Sequence, residues 1–175
     1  MIESAHRRRL SGMVIYTLIM LALLLIRLAP FSVGRPFLPG PDFALCLTLA
    51  WILRRPEQVP ALLIAAIFLC YDLMLMRPPG LMTAIIVMAT EAARAREPRW
   101  RELPFVVEWL RVALLLAMMI IAYRIAMAVM LVPQPTLGQS ILQLVATVLA
   151  YPVTVVAARW LFGLRRVDHM EAERS

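Results

Sequence analysis

Between Ala61 and Leu81 the chain reads ALLIAAIFLCYDLMLMRPPGL, an apolar segment long enough to enter a bilayer, with one carboxylate, Asp72, near its far end. At the bilayer centre such a charge costs about 2.5 to 3.5 kcal/mol on insertion scales, so an acid in this run requires a partner within the protein. Arg77-Pro78-Pro79-Gly80, which follows, stops the helix and makes a tight turn. Proline lacks a backbone donor, and glycine accepts φ values that other residues avoid. A further apolar run begins at once, at Leu81. An acid and a turn placed this way call for a surrounding bundle.

The rest of the chain supplies one. Apolar runs at 12–29, 43–53, 60–76, 81–93, 104–131 and 139–164 include several that approach or exceed the roughly 17 to 25 residues of a transmembrane helix. With 62% hydrophobic and 17% charged residues in 175 positions, the expected fold is an all-α integral membrane protein. It is a six-helix transmembrane bundle and a single domain over 1–175, with polar tails at 1–11 and 165–175. The first run is longer than a signal-peptide core and has no small-x-small cleavage site, so it is expected to remain as the first helix. A net charge of +7 raises the question of nucleic acid, but the basic residues, all arginine, lie in short clusters between apolar runs rather than along one soluble face. No nucleic-acid partner is expected; membrane lipid is.

The arginines set the orientation instead. A cytoplasmic amino terminus puts twelve of them, in the tails and in the turns at 54–55 and 94–101, on the cytoplasmic side, against Arg35 and Arg77 outside. Both termini are then cytoplasmic. The run 43–53 is only about 16 Å long, short of a hydrocarbon core of roughly 30 Å. Two remedies are open: the proline-rich loop at 30–41 enters the membrane region, or Arg54 and Arg55 snorkel while the bilayer thins. Trp100 is placed as an interfacial anchor, Pro152 should kink the last helix, and Glu108 and Arg111 stand at i, i+3, where they can pair near the membrane surface.

In this orientation Asp42, Asp72, Arg27, Arg77 and Arg124 all fall in the outer half of the membrane. Asp42 follows Pro41 immediately before an apolar run and is expected to cap the second helix. The reading is an outer ion-pair cluster in which Asp72 neutralises Arg124, with Asp42 and Arg27 or Arg77 around it. Structural glue is its first role and a proton or substrate relay its second, while Pro78, Pro79 and Gly80 form a plain turn. The only histidines, His6 and His169, lie in the polar tails, and no P-loop, nucleophile elbow, HExxH or CxxC pattern occurs. No enzyme activity is expected, and no catalytic, cofactor or metal site. Cys46 and Cys70 lie within apolar runs and read as small buried hydrophobes rather than a disulfide.

Two segments carry a family resemblance. Pro41-Asp42-Phe43-Ala44-Leu45-Cys46-Leu47 resembles the "RPDLLL" opening of the second span in the rod shape-determining protein MreD family, although Gly40 stands where that family often has arginine. Asp72-Leu73-Met74-Leu75-Met76-Arg77-Pro78-Pro79-Gly80-Leu81 resembles its "D-L-L…P-x-G" segment. The resemblance implies a non-enzymatic, multi-pass subunit of the bacterial inner membrane that acts in the elongation complex. Its partners would be MreC, RodA, a penicillin-binding transpeptidase and the actin-like MreB, and its role the maintenance of cell shape and lateral peptidoglycan synthesis. The family is also similar in fold to the S components of energy-coupling-factor transporters, so the second reading is a small-molecule-binding subunit. S components typically dock through an Ala-x-x-x-Ala surface on the first helix, and 12–29 has no such pair.

Overall fold

The computed structural model describes residues 2–29, 40–100 and 104–162, with side chains at 9–29, 40–95 and 104–160, and these residues form helices and turns only. In chain order the elements are α1 (Ile2–Leu28), α2 (Phe43–Ile52), a 3-10 turn (Pro56–Gln58), α3 (Ala61–Met74), α4 (Leu81–Trp100), α5 (Phe105–Val129) and α6 (Leu137–Phe162). Three helices, α1, α5 and α6, are long and apolar enough to cross a membrane, while α2 and α3 are shorter apolar helices. Both α1 and α4 outrun their apolar stretches. The flanking ESAHRRR and ARARE are rich in alanine, arginine and glutamate, good helix formers, so α1 starts at Ile2 rather than at 12 and α4 passes 93. The loop at 30–39 with Arg35, the side chain of Trp100 and the tail from 165 lie outside the described residues. Helix α6 continues through Pro152.

The centre of the bundle is α2. Nine of its ten residues, all but Phe43, are buried, because α6, α4 and α1 pack around it. Helix α1 offers it one stripe at four-residue spacing, Tyr16, Met20 and Leu24. The Tyr16 ring meets Trp51 edge-on at 5.5 Å between centroids, and its hydroxyl shares a 2.8 Å hydrogen bond with Thr48. Helix α5 contributes Val112, Leu116 and Met119, and α6 contributes Thr147, Tyr151 and Val155. The short second run is enclosed by protein; the loop at 30–39, the first remedy expected of it, lies outside the described residues. Nine of the ten residues of α2 meet other helices rather than the outer surface of the bundle.

Arg54 is corrected with it. Instead of snorkelling, it is buried, and its Nη2 lies 3.2 Å from Glu108 Oε1 on α5 while its Nη1 donates to the Ala50 carbonyl at 3.1 Å. Glu108 is 1% exposed, inside the core, and also accepts from the Tyr151 hydroxyl of α6 at 2.8 Å. Three helices thus meet at one buried ion pair. The same end of the bundle is fastened by Arg9 Nε donating to the Glu57 carbonyl at 2.7 Å and by Arg94 Nη2 donating to the Val59 carbonyl at 2.6 Å. Trp51 Nε1 donates to Gln58 Oε1 at 3.1 Å, and the Gln58 side chain lies so close over Gly12 that a Cβ there would collide with it. Of the two cysteines, Cys46 is buried and Cys70 faces outward, both as free thiols.

Removing one partner from a buried pair leaves the other charge alone, so Glu108→Gln should cost about 3 to 5 kcal/mol of stability. The double substitution Arg54→Met/Glu108→Leu should recover most of that loss. Thermal unfolding of the purified protein in a mild detergent measures both; a Glu108→Gln midpoint equal to wild type would contradict the buried pair.

Candidate functional site

The end of the bundle opposite Arg54 carries the polar residues singled out in the sequence. There the chain leaves α1, enters α2, turns from α3 into α4 and turns from α5 into α6. Each turn places polar groups where apolar side chains surround them.

Asp42 joins three helices. Its Oδ1 accepts the Leu45 amide at 3.3 Å, capping α2 as the Pro-Asp sequence predicts, and its Oδ2 holds Arg27 Nη2 of α1 at 3.2 Å. Its own amide donates to Thr147 Oγ1 on α6 at 3.1 Å, and one turn along α2 the Cys46 thiol donates to the Thr147 carbonyl at 3.3 Å. Nothing in the sequence marked Thr147. A threonine in an apolar run reads as a solvated or back-bonded side chain, and this one does also donate to the Gln143 carbonyl at 2.6 Å.

Asp72 has a partner, but not the expected one. Fully buried at 1% exposure, its Oδ2 accepts the Thr83 amide at 3.1 Å and the Thr83 hydroxyl at 2.8 Å. Thr83 is the third residue of α4, where backbone amides have no partner inside the helix and the helix dipole favours an anion. The carboxylate of α3 therefore caps the next helix across the turn. Within that turn Arg77 donates its amide to the Asp72 carbonyl at 3.0 Å, and Gly80 adopts φ +82, a left-handed conformation that a side chain would strain. Arg124, proposed as the counter-ion, turns instead to the α5–α6 connection. Its Nη1 donates to the Pro135 carbonyl at 3.0 Å and to Ser140 Oγ at 2.8 Å, and its own carbonyl accepts from Gln134 Nε2 at 3.1 Å. The expected Asp72–Arg124 ion pair is thus replaced by two separate joints.

What the cluster does share is a cavity. A space of about 260 Å³ lies between α2, α4, α5 and α6, with Asp42, Arg77, Tyr123, Arg124 and Gln143 among its lining residues and Leu116, Met119 and Leu144 on its apolar walls. A second, more open hollow of about 520 Å³ adjoins it, lined by Arg27, Tyr71, Arg77 and Gln143. Arg77 and Gln143 stand between the two. The small cavity is near the lower limit for a small-molecule site, and it combines apolar walls with a few converging polar groups.

If Asp72 is a cap and not the counter-ion of Arg124, double-mutant cycles separate the two. Asp72→Asn and Arg124→Gln should add within about 0.5 kcal/mol. Asp72→Asn with Thr83→Val should fall short of additivity by about 1 kcal/mol or more, since each removes the same charge-assisted bond. Strong coupling of Asp72 to Arg124 with none to Thr83 would reverse this assignment. Among known proteins, the chain matches no family model, no curated protein and no solved structure.

Proposed function

We propose that the chain is a scaffold subunit of the bacterial inner membrane, multi-pass with both termini cytoplasmic, that serves the elongation complex as its resemblance to the MreD family implies. The observation that carries this reading is the outward surface of the long helices. Only 22% of each candidate span in α1, α5 and α6 is buried within the fold. Rows such as Leu18, Leu21 and Leu25 on α1, and Leu114, Met118, Ile121 and Ile125 on α5, are exposed. In a bilayer, rows of this kind meet lipid or the helices of other subunits, and packing against such helices is how a small membrane protein assembles a larger one.

A second support comes from the aspartates on which the resemblance rests. Asp42 and Asp72 each accept backbone amides at the start of a helix, an architectural use consistent with a scaffold. In this reading α2, α3 and α4 are embedded with the three long helices, and the partners are MreC, RodA, the penicillin-binding transpeptidase and MreB. The 260 Å³ cavity favours a second reading, a small-molecule-binding subunit of the energy-coupling-factor type. The tagged protein, captured from detergent-solubilised membranes, should bring down MreC and RodA. Recovery of an ATPase module in their place would contradict the scaffold and favour the transport subunit.

A further inference from the structure

The cavity end of the bundle has more positive than negative charge. The segments that join the helices there, 30–39, 75–80 and 130–136, contain no aspartate or glutamate, so its acids are Asp42 and Asp72. Both are already engaged: Asp42 holds Arg27, and Asp72 caps α4 through Thr83. Two guanidinium groups remain on the cavity wall. Arg124 donates only to neutral oxygens, Pro135 O and Ser140 Oγ, and the Arg77 guanidinium makes no hydrogen bond or ion pair among the described residues. Both arginines are half-buried beside the cavity's apolar wall, and the sequence provides no further acid at this end to pair with them.

Two half-buried guanidinium groups on one cavity wall suit an anion supplied from outside the chain. Guanidinium presents planar, forked donors that match phosphate oxygens, and two such groups on one wall can share a single phosphate. Behind them Leu116, Met119 and Leu144 form an apolar surface that suits a hydrocarbon tail rather than a hydrated solute. We infer that the cavity holds a phosphate group between Arg77 and Arg124, carried by a molecule whose apolar portion lies along α5 and α6. A membrane lipid headgroup and a free phosphate compound share this chemistry. The apolar wall favours the lipid. The inference rests on the charge count and the cavity, and does not depend on the scaffold reading.

Titration of the purified full chain in a neutral detergent tests it, with thermal midpoint and native mass spectrometry as readouts. The probes are short-chain phosphatidylglycerol, the diacylglycerol with the same chains, and inorganic phosphate. Phosphatidylglycerol should bind and raise the midpoint, and the diacylglycerol should not. Arg77→Gln should weaken that binding about tenfold or more, the factor expected when one charge-assisted contact is lost. Because Arg124 also ties the α5–α6 connection, Arg77→Gln, which removes no bond among the described residues, carries the test. Arg159→Gln, an exposed arginine near the other end of α6, should leave binding unchanged. Displacement of the lipid by inorganic phosphate assigns the site to a free phosphate compound, and resistance to displacement assigns it to lipid. Binding unaltered by Arg77→Gln, or weakened equally by Arg159→Gln, or diacylglycerol bound as tightly as phosphatidylglycerol, would overturn the inference.

Discussion

A ten-residue helix enclosed by other helices has nowhere outside the protein to direct its polar ends, and the arrangement of this bundle follows from that constraint. At the start of α2, Asp42 caps its own helix while binding Arg27 of α1 and, through its amide, Thr147 of α6. Beyond the other end, Arg54 folds back onto the Ala50 carbonyl and reaches Glu108 of α5, which Tyr151 of α6 also contacts. A cation at a helix carboxyl end complements the helix dipole, and an acid at the amino end does the same. The two ends of one buried helix therefore recruit α1, α5 and α6. Tertiary packing then adds the apolar face of each: Tyr16 and Met20, Val112 and Leu116, Tyr151 and Val155.

Helices α3 and α4 obey the same rule by a different device. Their hairpin has a buried acid whose carboxylate bonds no arginine among the described residues, and it takes the unsatisfied amide of the following helix. Asp72 is committed to Thr83, so among the described residues neither Arg77 nor Arg124, which both line the cavity, has an acid bonded to it. The excess of arginine over acid at this end is set by the sequence, and the way the hairpin closes decides only that Asp72 is not the counter-ion of Arg124.

Much of this was legible in the sequence, and the failures have a common cause. The long apolar runs of α1, α5 and α6 and the cap at Asp42 depend on neighbours within a few residues, and local pattern reveals them. Asp72 announced its need for a partner but not which one, since a helix start 11 residues on serves as well as an arginine. Two arginines after an apolar run look alike whether they snorkel or turn inward, and what decides Arg54 is Glu108, 54 residues away. One signal could have found it. The run FALCLTLAWI has no polar face at all, which is how a helix buried on every side reads, and the polar groups at the ends of such a helix must be met by protein.

The enclosure of α2 can be read directly by collisional quenching. Two variants, each retaining a single tryptophan, one Trp51 on α2 and one Trp160 on α6, would be reconstituted into bilayers whose acyl chains carry bromine. Trp51 is 1% exposed and Trp160 is 88% exposed, and bromine quenches only on contact. With α2 enclosed, brominated lipid should dim Trp160 and leave Trp51 as bright as in unlabelled lipid. Quenching of Trp51 as strong as that of Trp160 would place α2 against the bilayer and contradict the buried centre on which the fold is built.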